Sequence, residues 1–97
     1  MKHQPVTRHC VRRYFERVLG LNQTQVSEAM AIPARVAATR VIIRSKVSRG
    51  TRFVDVAEGL RCESDGIVFC VARSGVIVTC FQPDELQKSK IAKLLAA

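Results

Sequence analysis

Ninety-seven residues allow one domain with a single hydrophobic core and exclude two. With 47% hydrophobic and 25% charged residues the chain reads as folded rather than disordered, and no apolar run approaches membrane-spanning length. The net charge of +8 is lopsided: residues 1–50 hold ten Lys/Arg against two Asp/Glu, residues 51–97 six against six. A basic half of this kind favours a polyanionic partner, nucleic acid first, although an acidic protein or an anionic membrane would produce the same imbalance.

The start, M-K-H-Q-P, lacks the apolar segment of a signal peptide, which points to the cytoplasm. Cys10, Cys62, Cys70 and Cys80 contain no C-x-x-C pair and no zinc-type spacing with His3 or His9. They read as reduced, buried thiols, and neither a metal nor a cofactor is expected.

The first element, T-R-H-C-V-R-R-Y-F-E-R-V-L-G, has Thr7 as N-cap and Gly20 as C′ residue, predicting a helix over 8–19. Wound at about 100° per residue, His9, Arg12, Arg13, Glu16 and Arg17 share one arc, and Cys10, Val11, Tyr14, Phe15 and Val18 the other. A surface helix often simply wears charge. What singles this one out is the imidazole among guanidiniums: His9, Arg13 and Arg17 follow in steps of four, within reach of a single phosphate.

A second helix starts at Asn22, whose capping box with Gln25 and Leu21–Val26 staple fix its entry. Pro33 divides the following stretch into helices over 23–31 and 33–44, the second continuing through the β-branched run Val41-Ile42-Ile43. Ser48-Arg49-Gly50 is then a turn, and the period changes after it. With Arg8, Arg12, Arg13 and Arg17, the residues Arg40, Arg44, Lys46 and Arg49 make up the candidate nucleic-acid contacts.

Alternation predicts a strand over 51–58, ended by Gly59, and after the turn Ser64-Asp65-Gly66 two more over 67–72 and 76–81. The last two form a hairpin, with Ile67, Phe69, Val71, Val76, Val78 and Cys80 on one apolar face under the helices. Val68, Cys70, Ala72, Ile77, Thr79 and Phe81 fall on the other. A helix over 83–95, with Pro83 in its first turn, carries Leu86, Ile91, Leu94 and Leu95 as a stripe that either docks on the sheet or meets a partner subunit as a homodimer. The expected fold is one α+β domain spanning 1–97: N-terminal helices on one face of an antiparallel sheet of about three strands, closed by a short C-terminal helix.

The string H-C-V-R-R-Y-F-E-R, preceded by Val6-Thr7-Arg8, resembles the H-A-x-x-R-x-x-x-R signature of small bacterial and phage proteins related to the BrnT and RelE toxins, with Cys10 where Ala is usual. The segment Gly75-Val76-Ile77-Val78-Thr79-Cys80-Phe81 is similar to their late strand. The resemblance implies a fold like the barnase/EndoU/colicin/RelE group of metal-independent ribonucleases, and RNA and a protein antitoxin as partners. His9 then stands at the family His position, and Arg13 and Arg17 at its two Arg positions. It implies transesterification at RNA phosphates, with His9 moving a proton and Arg13 and Arg17 stabilising charge. Thr79, the only hydroxyl of its strand, completes the candidate catalytic set. The alternative is a non-catalytic nucleic-acid-binding or antitoxin-type regulator that uses the same basic face only to hold phosphates.

Overall fold

Thr7 is extended and its hydroxyl accepts the Cys10 N–H at 3.0 Å, so the first helix, α1 (Arg8–Arg13), starts where its cap chemistry places it. A computed structural model describes the chain over residues 4–55 and 59–96. From Tyr14 to Val18 the helix widens into a π turn, closed by Leu19 N–H on the Tyr14 carbonyl at 3.1 Å. Gly20 then takes the left-handed conformation, φ 69°, and Leu21 N–H bonds back to the Phe15 carbonyl. Wide turns advance less than 100° per residue, so the angular sorting that holds for His9 to Arg13 does not extend to Arg17.

The helix α2 (Gln23–Met30) carries the expected Asn22–Gln25 capping box, both of its bonds formed. Pro33 opens α3 (Pro33–Arg49), which runs past the predicted end at residue 44 because nothing before Gly50 breaks it. Gly50 is required by space: a Cβ there would lie 2.5 Å from Cys62 Sγ and 2.6 Å from the Glu63 carbonyl oxygen.

The sheet is an antiparallel meander of four strands, β1 (Thr51–Asp55), β2 (Gly59–Ser64), β3 (Ile67–Val71) and β4 (Ile77–Phe81), in that order. The sequence reading has three because it takes residues 60–63 as a connection. They alternate like a strand: Leu60, Cys62 and Ser64 face the helices, while Arg61 and Glu63 fall on the opposite face. The end of the predicted first strand, 56–58, lies outside the described residues. Asp65 and Gly66, at φ 52° and 78°, make the tight β2–β3 turn.

Between β3 and β4 a bulge corrects the predicted faces. Cys70 pairs with Thr79 but Val71 pairs with Ile77, so Val78 is an extra residue in β4. Ile77 is consequently fully buried under the helices and Val78 is half-exposed, the reverse of uninterrupted alternation. Residues 5–7 lie along β4, with Ile77 N–H on the Pro5 carbonyl and Thr7 N–H on the Ile77 carbonyl.

Val11, Phe15, Val26, Ile43 and Val47 of the helical layer meet Phe69, Ile77 and Cys80 of the sheet in the main core. The opposite sheet face is covered too. There α4 (Glu85–Ala96), capped by reciprocal Asp84–Gln87 bonds, packs Ile91 against Phe53 and Val68, with Phe81, Leu94 and Leu95 at the margin. Leu86, expected in the same stripe, is instead exposed. The structure is thus α+β, with helices on both faces of a four-stranded sheet. Among the described residues no helix is long and apolar enough to cross a membrane.

Candidate nucleic-acid interface

The outer face of α1 presents Arg8, His9 and Arg12 to solvent. Arg13, one turn after His9, is half-exposed and pairs with Glu16 at 2.9 Å. Arg17 is turned elsewhere: its Nη1 donates to the Cys80 carbonyl at 3.3 Å, beyond the end of the α1–β4 contact. The edge of β4 is therefore capped three times from this segment, by Thr7 N–H on Ile77, Thr7 Oγ1 on the Val78 carbonyl at 3.0 Å, and Arg17 on Cys80.

Arg13 and Arg17 are thus held by different partners. The register places Thr79 on the α4 side of the sheet, half-buried and opposite Cys70, whereas His9 rides on the outer surface of α1. Of the four candidate catalytic residues, His9 and Arg13 lie one turn apart on α1, Arg17 is exposed but tied to the end of β4, and Thr79 lies on the other side of the sheet.

On α3, Arg40 Nε donates to the Val6 carbonyl at 3.1 Å, tying this helix to the strand-like segment before α1. Arg44 follows one turn later and is half-exposed. Lys46 bonds Asp65 at 2.8 Å, Arg49 Nη2 approaches the same carboxylate at 4.0 Å, and Arg49 Nε donates to the Ser45 carbonyl. The Lys46 hydrogen bond holds Asp65 below the usual carboxylate range, and the Arg49 charge adds to the effect. Arg35, absent from the sequence-based set, lies 5.8 Å over the Phe15 ring.

Residues 4–49 carry nine Lys/Arg against Glu16 and Glu28, so this layer keeps a strong positive excess after its internal pairs are counted. Arg8, Arg12 and Arg44 have no ion-pair partner among the described residues.

Burial and mutual contact shift the nearby buried groups: Cys80 is held below the usual thiol range by its hydrogen bond with Cys10, with the Arg17 charge acting the same way against burial. Tyr14 is buried and its hydroxyl is pushed up, mainly by loss of water. All four cysteines are free and buried. Cys10 and Cys80 meet between α1 and β4, where hydrogen bonding to Cys80 and then burial push the Cys10 thiol well up. Burial likewise raises Cys62. Among the described residues no group of three or more His, Cys, Asp or Glu is placed to hold a metal.

The α4 side holds polar groups that the sequence reading did not single out. Asp55 is buried and pairs with Lys90 at 2.8 Å. With Arg61, Gln87, Phe53 and Phe81 the pair lines a cavity of about 50 Å³, room for a few waters. The available signal was the single carboxylate in alternating phase with Phe53. It became meaningful only once β2 and α4 were known to cover it.

No protein-family model, curated protein or solved structure matches the chain.

Proposed function

We propose that this protein binds RNA through the basic outer surface of its helical layer, with α1 as the principal phosphate grip. One observation carries the reading: on a layer with nine Lys/Arg and two Glu, the exposed Arg8 and Arg12 have no acidic partner among the described residues. Unpaired surface guanidiniums on a rigid helix are suited to phosphate oxygens, and Arg44 extends the same charge onto α3.

A metal-independent ribonuclease of toxin or phage type is the second reading, favoured by an exposed His9 flanked by Arg8, Arg12 and Arg13 and by the resemblance of the helix to toxin signatures. The RNA 2′-hydroxyl would attack the adjacent phosphorus as His9 takes its proton, and Arg13, released from Glu16, would stabilise the developing charge. The P–O5′ bond would break to leave a 2′,3′-cyclic phosphate and a 5′-hydroxyl that takes up a proton from His9 or water. A protein antitoxin or other acidic partner would cover the same surface.

Salt titration of binding to a labelled single-stranded RNA tests the first reading. Three to four phosphate contacts give a slope of log affinity on log salt of about −2 to −3. Arg8→Ala with Arg12→Ala should make it shallower by about one to one and a half. A flat dependence, or an unchanged slope in the double variant, rejects α1 as the grip. Cleavage of the same RNA in EDTA tests the second. His9→Ala should retain affinity within a few-fold yet lose about 10² in cleavage rate. Absence of cleavage by the wild type leaves binding alone.

A further inference from the structure

Strand β4 ends at Phe81 and α4 begins at Glu85, and the start of the link between them lies near Arg17 of the π turn, which bonds the Cys80 carbonyl. Between them is an open depression of about 480 Å³ lined by Arg17, Phe81, Gln82 and Gln87. Its size is that of a small-molecule site.

Each wall has a defined chemical character. Arg17 uses Nη1 on the Cys80 carbonyl, which anchors the side chain and leaves most of its five N–H donors for another acceptor. Gln87 is oriented by the α4 cap: its Oε1 accepts the Asp84 N–H at 2.9 Å, so its NH₂ group remains as donor. Phe81 packs at the margin of the Phe53–Val68–Ile91 cluster and is only half-buried, so part of its ring is open to a ligand. Among the described residues no carboxylate lines the depression. One cation, amide donors and an aromatic ring suit an anionic group joined to a flat ring, and they disfavour a cation.

We propose that this depression binds one nucleotide of an unpaired RNA strand, with the phosphate on Arg17, the base on Phe81 and the amides of Gln82 and Gln87 on the base edge. This rests on the RNA-binding reading above and deepens it. Arg17 belongs to the π turn that follows the helix carrying Arg8 and Arg12, so the depression and the α1 cations are parts of one continuous chain segment. A duplex cannot use it, because its bases are stacked and offer no free face.

The test uses the full chain, a fluorescein-labelled 12-nucleotide single-stranded RNA containing 2-aminopurine, and the duplex of the same sequence. The wild type should prefer the single strand by about tenfold at matched salt and change the 2-aminopurine fluorescence. Phe81→Leu should weaken single-strand binding by about tenfold and abolish that fluorescence change while leaving the salt slope intact. Arg17→Gln should instead make the slope shallower by about 0.7. Gln87→Glu keeps the capping acceptor, removes the amide donors and should weaken binding several-fold. It remains informative if Phe81→Leu fails to fold. Equal affinity for duplex and single strand, or full affinity in folded Phe81→Leu or Gln87→Glu, overturns this site while leaving RNA binding by α1 intact. No binding of either RNA overturns both.

Discussion

The two faces of the sheet are covered by helices of very different grip. Under α1–α3 the contact is deep: Val11, Phe15, Ile43, Phe69, Ile77 and Cys80 are all within 1% of complete burial. Under α4 the cluster is small, Phe53 and Ile91 keep 8% and 9% of their surface, and Leu86 stands 83% exposed. The first interface is where stability resides, and its outer side is free to carry charge. The second leaves a buried Asp55 paired with an exposed Lys90, partly covered aromatic rings and open depressions, which is where a ligand finds room.

The largest effect should come from the bulge. Ile77→Asp places a carboxylate without a partner in the main core and should cost about 4 kcal/mol or prevent folding, while Val78→Asp, half-exposed, should cost about 1 kcal/mol or less. Urea unfolding of the two variants checks this. A larger loss for Val78→Asp than for Ile77→Asp would mean that β4 alternates without interruption and that the extra residue is misplaced.

A truncation pair sharpens the comparison between layers. Phe69→Ala should cost about 4 kcal/mol, because the surrounding helices cannot collapse into the space, whereas Ile91→Ala should cost about 2 kcal/mol. Similar values would show that α4 is as firmly seated as α1. Between them falls Gly50→Ala: the added methyl meets the Glu63 backbone oxygen and Cys62 Sγ, both in the sheet, and should cost about 2–3 kcal/mol.

Much of the helical layer is legible in the sequence because its signals are local. Thr7, the Asn22–Gln25 box and Pro33 each act within one turn, and all three are where the sequence places them. The π turn is not legible, since it follows from how Tyr14 and Phe15 fit the core rather than from any residue preference. It carries Arg17 to β4, which the 100° wheel could not foresee. Strand β2 was legible and misread: Gly59 begins a strand rather than only ending one, and Leu60-x-Cys62-x-Ser64 already alternates. The bulge at Val78 has no sequence mark, because either phase of V-I-V-T-C-F buries apolar side chains. For the candidate site, the wheel put His9, Arg12, Arg13 and Arg17 on one arc; His9 and Arg12 are exposed on α1, Arg13 is half-buried beside Glu16, and Arg17 is tied to β4. The depression at Phe81 was not visible, because it is assembled from α1, β4 and α4.

The smallest effect concerns Asp65, and it tests whether the C-terminal turn of α3 belongs to the basic surface. Lys46 lowers the Asp65 pKa in the folded chain relative to the unfolded one. A depressed carboxylate contributes stability that is present above its unfolded value, near pH 4, and is lost as pH falls through the folded value. The group is fully exposed, so that contribution is minor and screened by salt. Asp65→Asn should therefore lower the melting temperature only slightly at pH 7, and the difference should vanish once the pH falls below the folded Asp65 value or in about 1 M salt. Binding should move the other way. The substitution removes a carboxylate that faces both Lys46 and Arg49, returning two cations to the positive layer. RNA affinity at low salt should rise by a few-fold and the salt slope should steepen by about one. An unchanged slope would confine the phosphate contacts to α1 and the front of α3, leaving Lys46 and Arg49 as tethers for the β2–β3 turn.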